Sequence, residues 1–216
     1  MNNLASFFNH FFITLSRYCT PCHCHHCDTP IIPMSSRYAL CSDCQKLCTP
    51  KPSIMNTPTH TIHATFEFTG VIQTLLHSLK FEGNTAAADH LIPKTTTIPT
   101  ADVVIPVPSH PSRIRHRGFD HIETLFRPLY GNRYYPCIQR IKKTPPLYNK
   151  SAENRKRLLR NAFQWNPEYT HNCKGQSILI VDDIYTSGST INAMIQCINH
   201  HCKPTAITVF ALCRKL

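Results

Sequence analysis

Acidic residues are scarce in this chain. Twelve Asp and Glu stand against 23 Lys and Arg, a formal net charge of +11 with a pI near 9.2. That shortage points away from cationic partners and toward anions: phosphorylated metabolites, nucleic acid or anionic lipid. Long apolar runs are missing too. The longest, residues 4–15, is interrupted by His10 and is too short to span a bilayer. It has no basic segment before it and no small-residue cleavage site after it, so it reads as a short helix within residues 1–17, with no membrane insertion. There is no internal repeat and no long disordered tract, which excludes solenoids and low-complexity architectures.

What is present is cysteine. Seven of the twelve (Cys19, Cys22, Cys24, Cys27, Cys41, Cys44 and Cys48) crowd the N-terminal quarter. Their CxxC spacings suit a metal better than disulfides, and the others are scattered through a region large enough not to need staples. A reducing cytoplasm is the expected compartment. Cys24 and Cys27, then thirteen intervening residues, then Cys41 and Cys44 have the spacing of a four-cysteine zinc ribbon, two knuckles each giving two thiolates to a closed tetrahedral site. Cys19 and Cys22 form a competing first knuckle, which would leave a longer loop to close. Residues 51–60, rich in Pro and Thr, read as a linker.

A chain of 216 residues can hold one sizeable α/β core beside this appendage. Ile62, Ala64, Phe66 and Phe68 alternate as a strand, and Ile72, Leu75, Leu76 and Leu79 make a helical stripe ended near Lys80. Residues 102–108 form a second apolar strand that leaves the sheet at Pro106 and Pro108, followed by Ser109. Arg113, Arg115 and Arg117 alternate beyond it, and in an extended segment they share one face as an anion site. Phe119, Ile122, Leu125, Phe126 and Leu129 predict a helix, as do residues 151–159, and residues 206–212 predict the last strand. Residues 113–160 carry thirteen Lys and Arg against three acids, including Arg155, Lys156 and Arg157. Nearly all of the excess charge lies there. A basic tract of this kind tracks nucleic-acid phosphates, with Tyr134, Tyr135, Tyr148 and Trp165 as stacking platforms for single strands.

The organising stretch is residues 177–190. Ile178, Leu179, Ile180 and Val181 are a continuous apolar run, as in a parallel strand buried on both faces. Asp182 and Asp183 end it. Thr186, Ser187, Gly188, Ser189 and Thr190 follow, and then Ile191, Met194, Ile195 and Ile198 recur at helical spacing. A hydroxyl-rich turn opening a helix offers free N–H groups and the positive end of a dipole to a phosphate, and Gly188 permits close approach. Carboxylates at the strand end accept hydrogen bonds from sugar hydroxyls or face hydrated Mg²⁺. One phosphate and one diol describe a ribose 5-phosphate.

The sequence from Val181 to Thr190 resembles the phosphoribosyl pyrophosphate (PRPP) signature of type I phosphoribosyltransferases. With the cysteine knuckles, Leu79-Lys80-Phe81, Pro106-Val107-Pro108, Arg117-Gly118-Phe119, Arg155 and Phe163, the chain resembles the ComF family of competence-associated proteins over nearly its whole length. The resemblance implies a zinc ribbon at 18–50 and a phosphoribosyltransferase-like domain at 61–216, with a mainly parallel sheet flanked by helices. It implies PRPP bound by Asp182, Asp183, residues 186–190, Pro108, Ser109, Arg117 and Lys80, with Mg²⁺, and Asp182 and Asp183 as the catalytic carboxylates. Arg113, Arg115 and residues 155–157 are then a flap or nucleic-acid surface. The setting it implies is DNA uptake, with single-stranded DNA and competence machinery as partners, or else an active phosphoribosyltransferase that releases pyrophosphate. Three positions depart from the family pattern. Asp120-His121 replaces Asn-Gln, Leu147 replaces Gln and Leu158 replaces Asn. All three read as acceptor-side or flap changes that leave the phosphate loop intact.

Overall fold

The computed structural model describes residues 22–31, 40–92, 98–143 and 151–215. The N-terminal apolar segment, Cys19, Leu147 and Tyr148 lie outside them. The chain divides after Cys48 into two compact units.

In the first unit, β1 (Cys22–His23) pairs antiparallel with β2 (Pro30–Ile31), and α1 (Ser42–Lys46) follows. Among its described residues the buried apolar ones are Cys24, Leu40 and Cys44.

The second unit begins where a linker is expected. Residues 53–56 are instead β3 (Ser53–Asn56), a hairpin partner of β4 (Thr61–Glu67), with Ile54 opposite His63 and Met55 opposite Ile62. Prolines at 50, 52 and 58 flank the strand without interrupting its ladder, which is where an edge strand tolerates them. Then come α2 (Gly70–Phe81), α3 (Ala88–Leu91), β5 (Val103–Pro106), α4 (Pro111–Arg117) and α5 (His121–Tyr130). A small antiparallel pair, β6 (Ile138–Arg140) and β7 (Phe163–Trp165), brackets α6 (Ala152–Leu159). The chain closes through α7 (Thr170–Cys173), β8 (Ser177–Tyr185), α8 (Ser189–His201) and β9 (Ala206–Arg214).

The main sheet has the order β3-β4-β9-β8-β5, parallel throughout except for the β3 edge. The last strand therefore enters the middle of the sheet rather than its edge. Residues 178–181 of β8 are fully buried, as a strand covered on both faces requires. Ile178 and Ile180 share a core cluster with Ile191, Met194 and Ile198 of α8. On the opposite face Phe126 of α5 meets Phe210 of β9 edge-on at 5.7 Å. Phe210 stands beside Val181 in the ladder, so odd-numbered β8 side chains face α5 and even-numbered ones face α8.

Two expectations about the basic region change. Residues 111–117 are helical, not extended. His110 accepts from the Ser112 N–H, Pro111 stands in the first turn and Gly118 closes the helix at φ 87°, a start-and-stop pattern that overrides the alternation of the arginines. At helical spacing Arg113 and Arg117 share a side and Arg115 does not. The aromatics are also mostly core. Trp165 is buried, stacks on His201 at 5.5 Å and donates its indole N–H to Thr170 at 2.9 Å. Tyr134 is buried beside the β5 edge. Neither offers a face to a nucleic-acid strand. Among the described residues, no helix is long and apolar enough to cross a membrane.

Candidate functional site

Residues 182–190 begin as strand. β8 runs through both aspartates to Tyr185 because β9 is equally long and keeps pairing with it, Asp182 with Ala211, Ile184 with Cys213 and Tyr185 with Arg214. Successive strand residues point to opposite faces, so the aspartate pair is split. Asp182, half-buried, lies on the α8 face. Asp183, buried, turns to the α2/α5 face.

Asp183 therefore does not turn its carboxylate toward the hydroxyl-rich turn as expected. Its Oδ2 is ion-paired with the Lys80 ammonium at the end of α2 and bonded to His121 Nε2 at 2.9 Å at the start of α5. Arg117 closes the cluster. Its Nε–H donates to the Lys80 carbonyl at 2.7 Å, and a second guanidinium N–H meets His121 Nδ1. A guanidinium can only donate, so Nδ1 accepts and the proton of a neutral imidazole sits on Nε2, aimed at Asp183. Burial holds the His121 pKa below its ordinary value, against the pull of Asp183. Burial alone would raise Asp183, but the Lys80 ammonium and the His121 hydrogen bond outweigh it and hold the carboxyl far below the usual range. Asp182 goes the other way, pushed well up by burial and by the neighbouring carboxylate.

This arrangement moves the meaning of one departure. His121 stands where the family pattern has Gln, and it touches Asp183, the second of the two aspartates. Sequence reasoning marked the position and missed this pairing, because residues 62 apart in the chain meet only through the packing of α5 on β8.

The turn itself is lined by amides and hydroxyls. Gly188 takes φ 69°, and the Asn192 N–H bonds its carbonyl at 2.8 Å to start α8. The first amides of α8 have no partner within the helix, and the Ser187 and Ser189 hydroxyls lie 3.0 Å apart beside them. The left-handed backbone favours glycine here, and a Cβ on residue 188 would also sit 2.5 Å from the Tyr185 hydroxyl, so that side chain would have to move. β5 ends alongside Val181, before β8 runs on to Tyr185 and the turn. The Val107 N–H donates to the Val181 carbonyl at 2.9 Å, which brings Pro108 and Ser109 to the same end of the sheet. Arg113 and Arg115 are exposed on α4 nearby in the chain. Arg155 and Lys156 lie within α6 and Arg157 is exposed on it.

In the first unit the sulfurs of Cys24, Cys27, Cys41 and Cys44 lie within 4.8 Å of one another. The β1–β2 hairpin supplies the first pair, held by the Cys24 N–H to Thr29 at 2.9 Å. Cys41 caps α1, its sulfur accepting from the Cys44 N–H at 3.4 Å. Among the described residues it is therefore the Cys24/Cys27 knuckle that meets Cys41/Cys44. A metal with bonds of about 2.3 Å to sulfur has tetrahedral edges of about 3.8 Å. Cys27 and Cys41, 3.6 Å apart, match that edge without rearrangement. Burial would raise the Cys24 thiol, but hydrogen bonds from the backbone of Cys27, Cys41 and His26 bring it down to about 6. The cluster can hold a thiophilic metal.

No family model matches the chain. It is 30% identical over 166 residues to the DNA utilization protein YhgH of Salmonella typhi, covering 69% of this chain and 70% of that protein. Against the protein of the same name from Escherichia coli K12 it is 30% identical over 161 residues, 67% of this chain and 68% of the relative. Against the competence protein ComFC of Bacillus subtilis it is 23% identical over 199 residues, 88% of this chain and 77% of the relative.

Proposed function

The chain belongs to the ComF family, and we propose that it binds PRPP or a closely related sugar phosphate and works in DNA uptake, handling single-stranded DNA. The observation that carries the sugar-phosphate reading is the β8–turn–α8 unit. An amide-lined turn with Gly188 in the left-handed conformation lies at the carboxyl end of a central parallel strand, where open α/β sheets bind their ligands. The 5-phosphate sits on residues 186–190 and the ribose diol on Asp182. Asp183 acts from behind, holding Lys80 and, through His121, Arg117 in place beside the site. With Asp183 already engaged, Asp182 is the carboxylate of the pair left to face a hydrated Mg²⁺, which when bound would offset charge on the pyrophosphate. In this reading the second unit has the phosphoribosyltransferase-like fold and the first is a zinc ribbon used for docking. The relatives' names and the basic residues 113–160 support the DNA setting. The cysteines with described side chains are free thiols, which supports a cytoplasmic location.

Thermal unfolding with PRPP and Mg²⁺ tests this reading. A ligand at 100 times its Kd stabilises the folded state by about 2.7 kcal/mol, a rise in Tm of roughly 5–10 °C for a domain of this size. Gly188→Val should abolish the rise while leaving the sheet folded, as read by circular dichroism. No shift at millimolar PRPP overturns the proposal. Pyrophosphate release on adding nucleobases would add a transferase step to it.

A further inference from the structure

We infer that the cleft at the carboxyl end of β5 is a pocket for one nucleobase carrying an exocyclic amine, read by Asp120. The cleft has a volume of about 620 Å³, within the range of small-molecule sites. Pro106, Pro108, Ile138 and Tyr169 give it apolar walls. Tyr169 is fixed edge-on against Tyr135 at 6.1 Å. Flat pyrrolidine and phenol surfaces suit a planar ring.

The acids lining this cleft are unexpected in so basic a region. Glu123 is occupied by Arg127 at 2.6 Å. Asn166 directs its amide at Glu168, accepting from the Glu168 N–H and donating to its carboxylate, both at 3.2 Å. Asp120 is different. Its Oδ1 caps α5, accepting from the Ile122 N–H at 3.0 Å and the Ser109 hydroxyl at 3.4 Å. Its Oδ2 has no hydrogen bond among the described residues. A charged acceptor at the edge of an apolar slot selects an amine on a base, as a carboxylate accepts from the N4 amine of cytosine, and it repels the O4 carbonyl that thymine presents at the same edge.

The surroundings suit the rest of a nucleotide chain. His110 lines the cleft, and its pKa is lowered by burial and then by Arg140, Lys143, Arg113 and Arg115. Four cations therefore lie within electrostatic reach of the opening, where a strand's phosphates would run. Asp120 and Arg140 both line the slot that would take the base, and Lys143, Arg113 and Arg115 are left for its backbone. This inference deepens the single-stranded DNA part of the proposed function and rests on it; the cleft shares Pro108 and Ser109 with the residues expected to meet PRPP, so PRPP is left out of the test.

The test compares labelled short oligo(dC), oligo(dA) and oligo(dT) by fluorescence anisotropy at fixed salt, without PRPP, and deoxycytidine with thymidine by saturation-transfer NMR. Oligo(dC) and oligo(dA) should bind roughly tenfold more tightly than oligo(dT), about the discrimination one well-placed base contact supplies. Asp120→Asn keeps the helix cap, since Asn is as good an N-cap as Asp, but can place a donor where the free acceptor was. That variant should lose or reverse the preference. Equal binding of all three oligonucleotides, or a preference unchanged in Asp120→Asn, overturns the inference while leaving DNA binding intact. If no oligonucleotide binds, the DNA reading fails. The nucleosides then decide the pocket: a saturation-transfer signal for deoxycytidine that disappears in Asp120→Asn supports it, and no difference between the nucleosides overturns it.

Discussion

Protein purified without chelator should carry one zinc per chain, and Cys24→Ser with Cys44→Ser should carry none. The expectation follows from how little else holds the first unit. Among its described residues the strands are two residues each and the helix five, and of the three buried apolar residues there two are the cysteines themselves. Four thiolates around one ion would hold these short elements together. Apparent binding energies of about 10–16 kcal/mol are typical of such centres at neutral pH, far more than so small a unit gains from burial. Losing the metal should therefore unfold residues 22–48 outright and expose them to limited proteolysis. The second unit has its own continuous core and should keep its thermal transition. Metal analysis by mass spectrometry, paired with protease mapping, checks both halves. Zinc retained in the double variant, or an unchanged cleavage pattern without zinc, would refute the assignment.

How legible these features were in the sequence depended on how local their causes are. The β8 run, the stripe of α8 and the Ser151 cap of α6 follow from neighbouring residues, and the structure keeps all three. The cysteine centre was legible because its spacing encodes its geometry, and the choice of knuckle then followed from which sulfurs the folded hairpin brings together among the described residues. The β3 strand was hidden because its prolines suit an edge as well as a linker. Arg113, Arg115 and Arg117 were misread because alternation is a weak signal beside a proline start and a glycine stop. The split of Asp182 from Asp183 was the least accessible. It depends on β9 being long enough to extend β8 past the acids, and on α2 and α5 bringing Lys80 and His121 to the face where Asp183 emerges.

That split makes two adjacent aspartates respond oppositely to the same substitution. Asp183→Asn should destabilise the second unit, while Asp182→Asn should stabilise it at neutral pH. Asp183 has a lowered pKa in the folded state, so the stability it contributes is fully present above the unfolded value of about 3.9 and is lost as pH falls through the folded value. Asp182 has a raised pKa. Between the unfolded value and the folded one the native state binds the extra proton, so stability falls as pH rises through that window. Amidation removes this penalty. Lys80→Met should have the largest effect, since it leaves Asp183 buried with its principal cation gone. Breaking such a pair costs about 3–5 kcal/mol, or roughly 10 °C in Tm for a domain of this size. Adding Asp183→Asn to Lys80→Met should recover part of that loss, because the orphaned charge disappears with its partner. Urea titrations of the four variants between pH 4 and pH 8 read all of these effects. If Asp182→Asn and Asp183→Asn shift stability in the same direction at pH 7, the two carboxylates do not face opposite sides of β8, and the geometry of the candidate site is wrong at its centre.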